Sequence, residues 1–432
     1  MNPSSKFGAG GDSGLRVLWQ DSERVVCREW RLDADGQRKA VLAVRPAAEH
    51  PTPASLDRLG HELGLKDELD GAWAVRPLDL TRDGRRSMLV LEDSGGEPLA
   101  ALLGGPMEVG RYLRLAVGIS SALGQLHKRG LAHKDLNPAH IMVTGADSEV
   151  RLTGFGLASR LPRERQAPDP PESIAGTLAY MAPEQTGRMN RSIDSRSDLY
   201  ALGVTLYQML TGSLPFTASD PMEWVHCHVA RKPVAPSERL ESVPVALSQI
   251  IMKLLAKAAE ERYQTAAGVE RDLRHCLAEW ERQGRIDPFA LGDHDAPDRL
   301  LIPEKLYGRR REVETLLAAF DRVVKSGSPE LVLISGYSGI GKSSVVHELH
   351  KVLVPRRGPF CVWQVRPVQA RHPLYDARSG FSEPRPDSSL QERRRAKRLA
   401  RRPAGGAGPE RTAHDRRRPR VEAHHRRTAT RP

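Results

Sequence analysis

Leu131-Ala132-His133-Lys134-Asp135-Leu136-Asn137-Pro138-Ala139-His140-Ile141-Met142-Val143 is the stretch on which the fold turns. Seventeen residues of strand and turn after Asp135 comes Leu152-Thr153-Gly154-Phe155-Gly156. Next are Gly176-Thr177-Leu178-Ala179-Tyr180-Met181-Ala182-Pro183-Glu184, Asp198-Leu199-Tyr200-Ala201-Leu202-Gly203 and Glu261-Arg262-Tyr263-Gln264. Upstream, Leu113, Ala116, Ile119, Leu123 and Leu126 recur at helical spacing and predict a helix over 112–129. Ahead of it the residues read as strands over 16–20, 24–32 and 39–44, the last two joined by Asp33-Ala34-Asp35-Gly36, which has hairpin-turn chemistry. Pro51-Thr52-Pro53-Ala54-Ser55 starts a helix that continues over 56–65, and 73–78 and 87–91 read as two more strands. Helices are predicted again over 197–210, 245–256 and 265–282. A β-rich lobe gives way to a helical one.

In this order and spacing the five quoted elements resemble the motif set of protein kinases. His133 to His140 stands as the catalytic loop, H-R-D-L-x-x-x-N; Gly154-Phe155-Gly156 stands in the place of D-F-G; and Ala182-Pro183-Glu184 is the A-P-E that ends the activation segment. Leu89-Val90-Leu91-Glu92-Asp93-Ser94-Gly95-Gly96-Glu97 and 176–216, with Gly187-Arg188-Met189-Asn190-Arg191, are similar to the serine/threonine-kinase-like domain at the head of large bacterial hybrid sensor kinases. The resemblance implies an α+β two-lobed protein kinase fold over 15–282, with an N-lobe at 15–93, a C-lobe at 97–282 and a flexible leader at 1–14. It also implies that Arg262 pairs with Glu184 and that Asp198 holds the fold. Phe155, Tyr180 and Tyr200 read as core.

Phosphoryl transfer needs phosphates held, magnesium coordinated and an acceptor hydroxyl oriented. By the resemblance Asp135 is the catalytic carboxylate, and Glu62 is the helix glutamate that holds a phosphate-contacting lysine. That lysine is missing. One register puts Arg45 at its position and another puts Ala43 there, while Lys39 lies about 13 Å from Ala43 at roughly 3.3 Å per residue. Gly154 offers no carboxylate to magnesium, and His140 offers an imidazole where a hard cation prefers oxygen. Asp21-Ser22-Glu23-Arg24 replaces the glycine-rich phosphate loop, with carboxylates that repel phosphates. The expected function is a pseudokinase-like regulatory module in signalling, binding protein partners; the alternative is an active ATP-dependent serine/threonine kinase.

After a proline- and glycine-punctuated linker at 283–306, the apolar run 331–335 reads as a buried strand. Gly336-Tyr337-Ser338-Gly339-Ile340-Gly341-Lys342-Ser343-Ser344 and a helix from Val345 follow. This is G-x-x-x-x-G-K-S in its strand–loop–helix context, a P-loop. Gly336, Gly339 and Gly341 would bring backbone amides to the phosphates of ATP, Lys342 would reach the β- and γ-phosphates, and Ser343 would ligand Mg²⁺. The expectation is a truncated P-loop ATPase domain over 307–360, because the family resemblance ends near Pro359. The basic 361–432 then reads as a disordered tail or as out-of-frame translation of GC-rich DNA.

That tail distorts the charge. It holds 19 Lys/Arg against 7 Asp/Glu, which equals the whole net charge of +12, so residues 1–360 carry 47 of each sign. A balanced folded part gives no charge argument for binding nucleic acid or membrane. Cys27, Cys227, Cys276 and Cys361 are widely spaced, which argues against a zinc site and a disulfide framework, and His226-Cys227-His228 stands without a second ligand cluster. No run approaches the roughly 18 apolar residues of a membrane span, and the start lacks a signal-peptide core, so a cytoplasmic location is expected.

Overall fold

The computed structural model describes residues 15–32, 36–83, 86–145, 149–160, 176–187, 191–296, 308–335 and 342–347. In the N-lobe, β1 (Arg16–Gln20), β2 (Arg24–Leu32) and β3 (Arg38–Pro46) form the expected meander, and α1 (Pro53–Gly64) follows. Thr52 caps α1 by accepting from the Ser55 amide, and Pro53 occupies its first turn, where a missing N–H costs nothing. β4 (Pro77–Asp83) and β5 (Arg86–Glu92) complete an antiparallel sheet in the order β1-β2-β3-β5-β4. Alternation along β3 sorts its side chains. Leu42 and Val44 join Leu59 of α1, Leu89, Leu91 and Met142 on the inner face, whereas Ala43 packs with Cys27 and Met88 on the outer one.

The C-lobe begins with β6 (Glu97–Pro98), α2 (Leu99–Leu102) and α3 (Val109–Lys128). Short strands β7 (Leu131–Ala132), β8 (Ile141–Thr144), β9 (Glu149–Leu152) and β10 (Ser159–Arg160) bracket the loops of the site. The lobe is completed by α4 (Ser195–Thr211), α5 (Pro221–Val229), α6 (Pro236–Arg239), α7 (Val245–Leu254) and α8 (Ala266–Gln283). α4 is buried around its whole circumference except at Ser195 and Gln208, so it is the central post of the lobe. The expected Glu184–Arg262 pair is present, bidentate at 2.7 and 2.8 Å, with Ser197 donating to the same carboxylate. Phe155 and Tyr200 are fully buried; Tyr180 is half-buried and donates to Gln208. Cys227 and His228 lie in the core, His228 stacked on Trp224, and Cys27 and Cys276 are also buried free thiols.

Three expectations change. The strand expected over 73–78 starts only at Pro77. Trp73 and Val75 instead exchange backbone hydrogen bonds with Leu152 of the other lobe, at 2.8 Å each, which takes them out of the sheet. Much of the expected linker is packed onto the C-lobe. Ile286, Phe289 and Leu291 lie on its core, and the Asp295 carboxylate accepts from the amides of Gln264 and Thr265 and from the Thr265 hydroxyl. Those donors sit at the positive N-terminus of α8, and Gly268 leaves the room: a Cβ there would lie 2.4 Å from Asp295 Oδ1. Finally, 331–335 is not a strand, and Leu331 and Leu333 are both 84% exposed. An isolated apolar strand leaves its amides and carbonyls unpaired, and no described strand lies beside this one. Flanking it, α9 (Arg310–Ser326) and α10 (Lys342–His347) are helical. Among the described residues no helix is long and apolar enough to cross a membrane.

Candidate functional site

The site is the cleft between the lobes, where β2, β3 and α1 face the loop from His133 to His140. That loop is held from below. The Asp198 carboxylate, at the start of α4, accepts from the backbone amides of His133 and Lys134 at 2.8 Å each and is paired with His127 at 2.9 Å. Lys134 is thereby held at φ 68°, a left-handed conformation that costs a non-glycine residue about 1–2 kcal/mol. His133 packs at 5.0 Å from the Phe155 ring, which ties this loop to the start of the activation segment.

Asp135 faces the cleft. Its Oδ1 accepts from the Thr177 amide at 2.8 Å, and Oδ2 lies 3.9 Å from the Arg24 guanidinium. Burial raises its pKa, against the charge of Arg24 and the bond from Thr177. Asn137 braces the loop by donating to the Asp135 carbonyl at 3.0 Å and to the Thr177 hydroxyl at 3.2 Å. Glu62 of α1 is also buried at the cleft, but its partner is not a β3 cation: its Oε1 accepts from the Gly154 amide at 3.1 Å. Burial again pushes this carboxyl up, with Arg24 opposing.

Arg45 is not in the cleft. It points to the outer face of the sheet, where it pairs with Glu29 at 2.9 Å and lies against Met88 Sδ. Ala43 shares that outer face. The β3 residues that line the cleft opposite Glu62 are Val44 and Pro46, so both registers considered from sequence are off by one, and in a strand one residue reverses the face. The cations that do line it are Arg58 of α1 and Arg24, at the start of β2. The parity of Arg24 with Val26, an inner-face residue, is the signal that could have found it.

The expected magnesium positions are occupied by each other. His140 is 2% exposed, and its Nδ1 lies 2.6 Å from the Asp135 carbonyl, an acceptor only, so Nδ1 carries the proton. Its Nε2 is then a lone-pair acceptor, buried and without a hydrogen-bond partner among the described residues. Burial holds this imidazole neutral, its pKa well below the usual value. Gly154, at φ 76°, lies against the ring: a Cβ there would be 2.4 Å from His140 Cδ2 and 2.6 Å from Nε2. The imidazole fills the space that an aspartate side chain at 154 would need. These residues do not fit a magnesium ion, since the donor set lacks the oxygens it requires. Among the described residues no group of three or more His, Cys, Asp or Glu could hold a metal.

The space left in the cleft is small, a cavity of ≈ 50 Å³ lined by Glu23, Arg24, Val44, Arg58, Glu62 and Asp135 among others. That is room for about three or four waters, the centre of each needing about 10–15 Å³. Arg58 of α1 donates to Glu23 at 2.7 Å and closes one side, and His61 donates to the Ala158 carbonyl at 2.6 Å, latching α1 to the activation segment. Of the P-loop residues, Lys342 opens α10. Gly336, Gly339 and Gly341 lie outside the described residues, as does the side chain of Ser343.

Comparison with known proteins agrees with this architecture. A model of the protein kinase domain matches residues 31–273, and a model of the AAA ATPase domain matches 305–429, well past Pro359, where the sequence reading ended the resemblance. The chain is 36% identical over 204 residues to hybrid signal transduction histidine kinase G of Dictyostelium discoideum, covering 43% of this chain and 6% of that protein. It is 37% identical over 169 residues to serine/threonine-protein kinase PknB of Mycobacterium tuberculosis (39% and 26%), and 34% identical over 236 residues to serine/threonine-protein kinase Pkn1 of Myxococcus xanthus (54% and 32%). The chain therefore spans a third or less of the length of these relatives. Because the kinase match takes in more than half of its residues and falls on the two lobes described above, the chain belongs to the protein kinase domain family, with an AAA ATPase domain following.

Proposed function

We propose that the kinase-family domain is a regulatory, pseudokinase-type module that engages signalling proteins and governs the ATPase domain of the same chain. The observation that carries this reading is the His140 imidazole lying in the space a metal-binding side chain at 154 would need. Loss of charge stabilisation at a transferring phosphoryl group costs several kcal/mol, hence several orders of magnitude in rate. On this reading the module spans 15–282 with its packed extension to Ala296, and it acts in the cytoplasm. In the ATPase domain, Gly336, Gly339, Gly341 and Lys342 hold the phosphates of ATP and Ser343 holds Mg²⁺.

A second reading, an active serine/threonine kinase, has one observation in its favour. Asp135 is held at the cleft by the Thr177 amide as an acceptor-orienting carboxylate would be. The deciding experiment incubates the full chain carrying Lys342→Ala, which disables the P-loop, with labelled ATP, Mg²⁺ and a generic protein acceptor. The regulatory reading expects no label on protein above that of a further Asp135→Ala variant. Label that Asp135→Ala abolishes would establish the kinase instead.

A further inference from the structure

The short loop 262–265, which leads into α8, holds two different parts of the chain at once. At its start Arg262 is buried with all five guanidinium donors engaged. Two go to the Glu184 carboxylate at the end of the activation segment, and one each to the carbonyls of Arg196, Ala256 and Lys257. At its end the amides of Gln264 and Thr265 and the Thr265 hydroxyl all donate to Asp295. Between them, buried Tyr263 donates to the Asp272 carboxylate, which also accepts from the Gly292 amide at 2.8 Å. The Lys253 ammonium lies 4.6 Å from the centre of the Tyr263 ring and donates to the Leu291 carbonyl at 2.9 Å. Gln264 joins the two ends, accepting from Arg196 at 3.1 Å and donating to the Arg262 carbonyl at 2.8 Å. The segment 285–296 therefore hangs from the same four residues that hold the end of the activation segment. A guanidinium with no spare donor, set in a filled core, has no graded movement open to it, so displacing either end breaks several bonds together.

We propose that loop 262–265 couples the activation segment to the segment 285–296: releasing Glu184 loosens 285–296, and releasing Asp295 loosens the end of the activation segment. This rests on the regulatory reading and deepens it, since the state of the kinase-family domain then reaches the ATPase domain through the hold on the segment that leads to it. The fit on that side is close. Gly292, at φ 71°, passes beside Lys253, and a Cβ there would lie 2.5 Å from its Nζ. Linkage makes the coupling reciprocal, so a cut at either end is read at the other.

The test is hydrogen exchange read by mass spectrometry on the full chain, with the interior of α4 as the gauge of global opening. Glu184→Gln keeps the shape of the side chain and removes its charge. It is expected to raise exchange over 285–296 about fivefold beyond any change in α4. Asp295→Ala is expected to do the same over 183–187, where the Gln185 amide donates to the Ala182 carbonyl and the Gly187 amide to that of Glu184. Ser197→Ala, which removes one donor to Glu184, and Lys253→Met, which frees the Leu291 carbonyl, cut each end more gently. Both are expected to give the same pattern at about twofold, and they decide the matter if a stronger variant does not fold. The proposal is overturned if exchange at the far end changes no more than that of α4. Label transferred in the assay above would remove the regulatory reading and leave this pattern standing, whereas exchange confined to the cut end would remove the coupling and leave that assay untouched.

Discussion

Restoring the aspartate at position 154 tests how far the cleft has been rebuilt. Gly154→Asp puts a Cβ 2.4 Å from His140 Cδ2 and forces a side chain onto φ 76°. The left-handed backbone costs about 1 kcal/mol for Asp, and overpacking against the imidazole adds about 1–3 kcal/mol. A further carboxylate beside half-buried Asp135 and buried Glu62 adds repulsion, for a total of about 3–5 kcal/mol. At roughly 2–4 °C per kcal/mol for a domain of this size, the apparent Tm falls by about 10 °C. His140→Asn removes the ring that clashes, so the double variant should recover about 1–3 kcal/mol relative to the sum of the singles. Melting the four chains of this cycle by fluorimetry, each with Lys342→Ala, measures the coupling. A second arm adds ATP with Mg²⁺, and only the double variant, with oxygens at both positions, should gain stability that EDTA removes. If Gly154→Asp melts within 1 °C of its parent, or the singles simply add, the two residues are not a matched pair and the account of the cleft is wrong.

Other outcomes follow from the same structure. Glu184→Ala strands Arg262 in a buried site over the Tyr200 ring, which should cost about 3–5 kcal/mol in urea unfolding, and a loss under 1 kcal/mol would show that the pair holds little. Lys257, against Phe216 and Tyr200, has its pKa pushed down to about 7 by burial, with Arg262 adding to the effect. The unfolded chain then binds more protons than the folded one from about pH 7 to 10.5, so stability should rise with pH in that window by up to ~1.4 kcal/mol per unit. Lys257→Met should flatten that slope, measured by urea midpoints at pH 7.5 and 8.5. Asp295→Ala removes three accepted hydrogen bonds at the α8 N-terminus and should raise amide exchange across 285–296 while leaving α4 protected. Unchanged exchange there would mean that apolar packing alone holds the segment.

Most of the fold was legible because it is carried by local signals. Strand alternation, the Thr52-Pro53 helix start and the spacing of the loop motifs all placed elements to within a few residues. The ion pair between Glu184 and Arg262 was legible from motif order alone. The site was less so. Which β3 residues face the cleft depends on a register that one residue reverses, and the sequence left Arg45 and Ala43 both open when Val44 and Pro46 line it. That Arg24 of β2 lines the cleft, and that His140 and Gly154 fit each other, are facts of contact between segments far apart in the chain. Likewise, charge and proline in 283–296 suggested a solvated linker, but Asp295 has a helix N-terminus to bind and Phe289 an edge-on contact with His275.

The packing of that segment also limits geometry. If 284–307 were loose, the chain could separate the end of α8 from Gly308 by up to about 85 Å, at roughly 3.5 Å per residue. With the Asp295 carboxylate fastened to the start of α8, the greatest separation from there to Gly308 is about 45 Å, half of what the residue count from α8 suggests, and letting go of that one carboxylate would raise the ceiling.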